Sequence, residues 1–330
     1  MFDLVGFGEV LITLSTRNFN RLEQATTLDV RVGGAEFNCV VTAQRLGMDC
    51  AYITRVAANP LGRMAVNKIR EQGVDASHVL WSEIDRQGIS FLEFGAMPRA
   101  SATFYDRSNS AASKIQSGMV DWDRVLSETK AFHCTGITPA LSPSCLAVTS
   151  EAMRTAKEKG VQVSFDLNYR AKLWSSEQAN SGLSPLMEYV DILITTEEDV
   201  SRVFQIKGTN WDDVARKLAD QFGIKIVCIT LREDVTVWRN NWTAIALKGG
   251  TVYEDRKYEI EVVDRVGAGD NFAGGFLYGF MNRNGDVEAA LKYGNACAAL
   301  KHSNAGDYAF YTREEVETLV AGKGSLRIAR

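Results

Sequence analysis

The chain has 330 residues, 45% of them hydrophobic and 24% charged, which is enough apolar material for a large core and excludes a disordered or fibrous protein. Its net charge of −4 comes without a basic stripe or Lys/Arg cluster, so neither a nucleic-acid partner nor a membrane surface is expected. The six cysteines (Cys39, Cys50, Cys134, Cys145, Cys228 and Cys297) are scattered in mostly apolar contexts without a CxxC pair, so they read as buried thiols of a cytoplasmic protein.

In chain order, MFDLVGFGEVLITL reads as a strand rather than a leader, because Asp3 and Glu9 interrupt it and no basic segment precedes it. Gly6-Phe7-Gly8 is not a GxGxxG turn, since Leu11 stands at the third glycine position. Residues 10–31 and 86–110 alternate apolar and polar positions, as in ISFLEFG and SATFYDR. This predicts strands with one wet face, set apart as a small sheet. Such a sheet serves as a lid over a site, as an edge of the main sheet, or as a dimer surface.

From residue 115 onward the texture changes. Apolar runs at Ala131–Cys134, Val161–Leu167, Asp191–Thr195 and Ile224–Leu231 are separated by helical stretches at Pro143–Lys159, from Ser175, and at Trp211–Phe222. Continuous apolar runs spaced by helices predict a parallel sheet in a doubly wound α/β fold. Ligands of such sheets bind beyond the carboxyl ends of the strands. The polar residues there are Gly33–Asn38, Thr135-Gly136, Asp166–Arg170, Thr195–Glu198, Thr230–Arg232 and Val266–Asp270.

The last of these carries the sharpest chemistry. Gly267-Ala268-Gly269-Asp270 follows the strand-like YEIEVVD and opens the apolar helix NFAGGFLYGFM. Small residues at a strand-to-helix turn let the backbone approach a ligand, and the free amides form an anion site. An acid on that turn conflicts with anion binding unless it is a base, taking a proton from a hydroxyl while the amides hold charge on a phosphoryl group. The bland alternative is that Asp270 caps the helix. No Walker A loop is present.

DRVGAGDNFAGGF resembles the C-terminal signature of the PfkB/ribokinase-like carbohydrate kinases, and VGGAEFNCVVTAQRLG (32–47) resembles their N-terminal signature. The resemblance implies one kinase domain over 1–330, with a Rossmann-like core, a small β lid, and ATP with Mg²⁺. It makes Asp270 the catalytic base and Gly267, Ala268 and Gly269 the anion hole, with Gly267 and Gly269 also facing the nucleotide. GITPALSP (136–143), SFDLNYRAKLW (164–174) and Gly8-Glu9 are similar to segments of the 2-keto-3-deoxygluconate kinases. That similarity implies a keto-sugar acid as acceptor, phosphorylated at its terminal hydroxyl, with kinases of neutral sugars or of related deoxy-keto acids as the alternative. A sugar-binding regulator without catalysis is the reading from another class. The implied substrate residues are Gly34, Asn38, Tyr105, Arg107, Arg170 and Asp307. Two arginines suit a carboxylate, which arginine binds bidentately. Otherwise Arg107 is a solvated lid residue and Arg170 a structural salt bridge. Glu198 is the implied Mg²⁺-linked acid, although Thr195 replaces the asparagine usual in its motif. Thr230 and Arg232 are placed near the nucleotide, in TLREDVT, whose glycine pattern is altered. A homo-oligomer through the lid and activation by a monovalent cation are further expectations. Arg265 has no assigned role.

Overall fold

The computed structural model describes residues 1–308 and 310–323; the end of the expected 1–330 domain lies outside the described residues. The chain enters through β1 (Phe2–Phe7) and passes to an antiparallel pair, β2 (Leu11–Ser15) and β3 (Asp29–Gly33). Helix α1 (Ala35–Arg45) leads to β4 (Cys50–Ile53), β5 (Arg55–Ala57), α2 (Pro60–Glu71), β6 (Leu80–Ser82), β7 (Ile89–Glu93) and β8 (Ala102–Asp106). Next come α3 (Trp122–Ser127), β9 (Thr129–Thr135), α4 (Ile137–Ala140), α5 (Pro143–Glu158), β10 (Gln162–Asp166) and α6 (Ser176–Leu183). They lead to β11 (Ile192–Thr195), α7 (Glu197–Val203), α8 (Trp211–Phe222), β12 (Ile226–Thr236) and β13 (Arg239–Lys248). The described chain closes with β14 (Thr251–Glu254), β15 (Tyr258–Glu261), α9 (Ala268–Asn282), α10 (Val287–His302) and α11 (Arg313–Val320).

The main sheet has the order β14-β13-β12-β11-β10-β9-β1-β4, with β15 also on β13. Strands β4, β1, β9, β10, β11 and β12 are parallel, and β13 begins an antiparallel edge. Because side chains alternate across a strand, Leu4 enters the core shared with Phe37 and Phe272, while Val5 and Phe7 enter the opposite core with Trp122 and Phe132. Helices thus cover both faces, and the apolar runs in the sequence follow from that double burial. The strand order runs in opposite directions from β1, so β1 and β9 flank the topological switch point. All six cysteines are buried and unpaired. Among the described residues no helix is long and apolar enough to cross a membrane.

The second sheet has the order β3-β2-β7-β8, built from the two alternating segments. Only 11–15 and 29–33 of the first segment are extended; a single 3-10 turn, Leu22–Gln24, lies between them. Cross-strand register puts Thr13, Ser90 and Tyr105 on one face and Leu14, Phe91 and Phe104 on the other. Arg31 reaches from this sheet to Asp264 at 2.9 Å, and Lys172 of the core donates to the Thr103 carbonyl at 2.8 Å.

One expectation needs correction. The sequence suggests that the strand from Ile224 ends at Leu231 and opens into a nucleotide loop. Instead TLREDVT continues β12 to Thr236, paired with β13. The hydrogen bonds of the hairpin hold this polar stretch extended despite its charge. Thr230 and Arg232 therefore sit on a strand, not on a loop.

Candidate active site

The carboxyl ends of β1, β9, β10 and β11 open into a cleft of about 830 Å³, roofed by the small sheet and closed at one side by the first turn of α9. The Gly267 backbone has φ 80°, a left-handed conformation that a side chain strains. A Cβ there would also lie 1.7 Å from the Asp307 carbonyl oxygen. Glycine is thus needed twice over, for the turn and for contact with the neighbouring loop. The amides of Gly269 and Asp270 have no partner among the described residues. They form the electropositive end of a fifteen-residue helix.

Asp270 does not cap this helix; Gly267 holds the cap position. Its Oδ2 instead accepts a hydrogen bond from Asn38 Nδ2 at 2.7 Å. Desolvation pushes the Asp270 carboxyl up to about 6, with nearby Glu36 adding to the rise; the Asn38 bond, Arg170 and Lys301 pull the other way. Part of Asp270 still opens on the cleft. A carboxylate poised near neutrality beside unpartnered amides can accept a proton while those amides hold a developing negative charge.

The other expected residues fall around this centre, with one change of role. Gly34 packs its α-carbon against the Glu9 carbonyl, where a Cβ would sit 2.2 Å from the oxygen. Asn38 lies one turn into α1 and bridges Gly34 N (3.4 Å) to Asp270. Arg170 follows Asn168, whose φ of 37° swings the chain into the cleft, a conformation asparagine tolerates. It is exposed there, and its Nη1 donates to the Tyr169 carbonyl at 3.2 Å. Arg107, by contrast, is buried against Glu9. Its Nε donates to Glu9 Oε2 at 2.7 Å and its Nη2 pairs with the same oxygen, while Ser110 Oγ donates to Oε1 at 2.7 Å. The Nε–Nη2 edge that a carboxylate would take bidentately is therefore already spent on Glu9. The Tyr105 ring lies 5.1 Å from the Arg107 guanidinium carbon and lines the cleft.

Asp307 closes the far wall beside Gly33, its carboxyl pushed up to about 6 by burial and by Asp264. Its Oδ1 is buried and has no partner among the described residues. Glu198 stands at the edge of the cleft, exposed and paired with Arg202 at 2.5 Å. Thr195, at the expected asparagine position, turns its hydroxyl to the Thr196 carbonyl. Thr230 and Arg232 line the cleft from β12; Thr230 donates to the Thr195 carbonyl and Arg232 pairs with Asp234. Arg265 acquires a structural role. It pairs with Asp234 at 3.2 Å and donates to the Val237 carbonyl at 2.9 Å, pinning the β12–β13 hairpin to the turn before α9.

Four acids have roles that the sequence reading did not assign. Glu36 is buried, and its Oε1 accepts from Thr135 N, Thr135 Oγ1 (2.8 Å) and Thr138 Oγ1 (2.7 Å), tying α1 to the end of β9 at the switch point. Asp166 is driven well above the usual carboxylate range by burial and then by Asp270 and Asp199. Asp199 is raised by burial against the pull of Arg170. Glu9 neutralises Arg107. Glu9, Glu36 and Asp166 stood in segments that the sequence singled out; Asp199 lies one residue past Thr195–Glu198, inside α7, where no signal existed.

A doubly wound sheet with a glycine turn, a poised carboxylate and a roofed polar cleft defines a kinase of small hydroxylated molecules. The chain belongs to the pfkB family of carbohydrate kinases. A family model described as "pfkB family carbohydrate kinase" matches residues 1–313. The chain is 38% identical over 320 residues to a 2-dehydro-3-deoxygalactonokinase of Haloferax volcanii, covering 97% of each chain. It is 31% identical to a 5-dehydro-2-deoxygluconokinase of Geobacillus kaustophilus, covering 90% of this chain and 87% of that one. Among solved structures, a 2-dehydro-3-deoxygluconokinase of Thermotoga maritima superposes with a TM-score of 0.94 at 37% identity, covering 98% of this chain and 100% of the other. A ribokinase II of E. coli, described as a complex with ATP and Mg²⁺, shares the fold at a TM-score of 0.84 and 22% identity.

Proposed function

We propose that this carbohydrate kinase transfers the γ-phosphoryl group of ATP to the terminal hydroxyl of a keto-sugar acid, with 2-keto-3-deoxygluconate as the leading acceptor. The observation that carries this reading is the desolvated Asp270 carboxylate beside the free amides of Gly269 and Asp270, in a cleft that Arg170 also lines. The names of the Haloferax and Thermotoga relatives support an acid of this class.

In the proposed reaction the acceptor lies between the small sheet and the core, near Gly34, Asn38, Tyr105 and Asp307. Arg170 takes the carboxylate. Arg107, held rigid by Glu9, contributes through the remaining Nη1 edge. Asp270 accepts the hydroxyl proton as that oxygen bonds to the γ-phosphorus and the bond to the bridging oxygen breaks, leaving ADP. The amides at the start of α9 balance the charge on the transferring group. Thr230 and Arg232 border the nucleotide end, with Gly267 and Gly269.

Among the described residues no cluster of His, Cys, Asp or Glu forms a metal cage. A Mg²⁺ ion arriving with nucleotide phosphates needs only one or two carboxylates. Glu198 fits that need, and the mutual repulsion of Asp166, Asp199 and Asp270 favours a cation in this part of the cleft. Bound there, the ion would offset phosphate charge.

The test is ADP release over a panel of 2-keto-3-deoxygluconate, its galactonate epimer, 5-keto-2-deoxygluconate, fructose and ribose. The expected result is a kcat/KM highest for one of the 2-keto-3-deoxy acids, and a loss of roughly a thousandfold in kcat for Asp270→Asn with the fold intact. Preference for a neutral sugar would overturn the acceptor assignment. Near-normal turnover of the variant would overturn the base assignment. A homo-oligomer through the outer face of the small sheet belongs to the same proposal. Val30, Leu14, Phe91 and Phe104 are cross-strand neighbours there, and Val30 and Phe104 are exposed. A monomer by light scattering would remove it.

A further inference from the structure

Lys301 is fully buried in α10, a helix whose neighbouring positions are Cys297, Ala298 and Leu300. A buried ammonium costs far more than an apolar side chain of the same length, so its presence needs a compensating reason. Its Nζ donates to two backbone carbonyls, Asp264 at 3.1 Å and Asn304 at 3.0 Å. These belong to two different loops. One runs from β15 into the Gly267–Asp270 turn; the other follows α10 and carries Asp307.

Asp264 ties the same two loops from its side chain. Its Oδ1 accepts from Val266 N at 3.0 Å, and its Oδ2 accepts from Gly306 N at 3.0 Å and from Arg31 of the small sheet at 2.9 Å. Asn271 Nδ2 then donates to Gly267 O at 2.8 Å and reaches Asp307 O at 3.4 Å. The ammonium is therefore the charged centre of a clasp that fixes where the Gly269 and Asp270 amides point.

We propose that Lys301 is a positioning residue for phosphoryl transfer: its ammonium acts as a built-in cation that joins the anion-holding turn to the Asp307 loop. This rests on the kinase reading of the turn. The charges facing the ammonium are Asp264, Asp307, Asp270 and Arg31, three acids and one base; burial lowers the ammonium's pKa, and the three acids offset part of that cost. Two loop carbonyls would hold an ammonium or potassium ion by the same lone pairs, and with Lys301 present no diffusible monovalent cation is required.

The experiment compares wild type with Lys301→Met, Lys301→Gln and Lys301→Ala, first in buffers whose only monovalent cation is choline, then with ammonium or potassium chloride added. Wild type is expected to be fully active in choline. The variants are expected to lose about a hundredfold in kcat, the scale of a misplaced oxyanion donor, with little change in KM for the sugar acid. Ammonium or potassium should restore much of that loss in Lys301→Ala, which leaves the space and the carbonyls; a purely structural role would lower the melting temperature without such rescue. Wild type that needs added potassium or ammonium would overturn the proposal, whether or not the variants fold. So would a folded Lys301→Met with normal kcat in choline. If wild type itself shows no phosphoryl transfer to any acceptor in either salt, the kinase reading fails instead.

Discussion

Asn38→Ala removes the hydrogen bond that does most to hold the Asp270 carboxyl down against the rise caused by burial. In the wild type the carboxyl stands near 6, so kcat/KM should follow an acid limb centred there. With one ionisation, activity at pH 5 is about one-tenth of the plateau. The bond from Asn38 Nδ2, at 2.7 Å, stabilises the ionised form. Hydrogen bonds to charged groups contribute about 1.5–3 kcal/mol, and water entering the space left by the amide recovers part of that. A net loss near 1.4 kcal/mol is a tenfold change in acidity, so the limb should move up by about one pH unit. The sign is fixed: loss of a donor to the carboxylate favours its protonated form, and a base must be ionised to act. At pH 6 the variant should retain about one-tenth of its own plateau where the wild type retains half. The assay is kcat/KM by coupled ADP detection from pH 5 to 9, with a thermal melt to confirm folding. A plateau that falls while the limb stays at its wild-type position would refute the assignment of that limb to Asp270.

The buried Glu9–Arg107 pair should cost more to break than to delete. Glu9→Ala leaves a buried guanidinium uncompensated and should destabilise the protein by about 3–5 kcal/mol in urea titration, whereas Glu9→Ala with Arg107→Met should recover most of that. Equal losses in the single and double variants would show that the pair's charge is not what matters. Asp307 titrates against the fold. Its carboxyl lies near 6, above its unfolded value of 3.8, so its contribution is complete below about pH 4 and is lost as pH rises through 6. Asp307→Asn should therefore raise the melting temperature by about 2–4 °C at pH 8 and leave it nearly unchanged near pH 3.5. A rise at both pH values would point to packing rather than charge.

The elements that sequence places well are those whose signal is local. The helix Trp211–Phe222 matches its predicted bounds because Asn210 caps it and Gly223 ends it in a left-handed turn. Asp270 was legible because an acid on a glycine turn is chemically odd wherever it occurs. Pairings set by the fold were not. Arg107 and Glu9 are 98 residues apart, and only the approach of β8 to the end of β1 spends the arginine's bidentate edge before any ligand arrives. The strand character of TLREDVT depends on β13, which follows it: Thr230, Val235 and Thr236 favour extension, but the charged Arg232-Glu233-Asp234 at its centre does not announce a strand. Lys301 shows the same limit: in ACAALKH it reads as the solvated end of a helix, and only the packing of two loops over it makes it a buried ion.

The charge balance of the cleft also bears on the order of events. Asp166, Asp199, Asp270 and Asp307 are all raised by burial, and Arg170, Arg31 and the buried Lys301 are the cations that pull one or more of them down. A site so rich in desolvated acids resists a bare polyphosphate. In the proposed reaction this repulsion is met by fixed positive ends, the amides of α9 and the clasp beneath them, and by a divalent ion that travels with the nucleotide. Asp270 then sits near neutrality in the free enzyme. The approach of a cation lowers its carboxyl, so the base becomes more fully ionised as the nucleotide complex assembles. The acid limb of kcat should for that reason lie below that of kcat/KM, since the first reports the loaded enzyme and the second the free one.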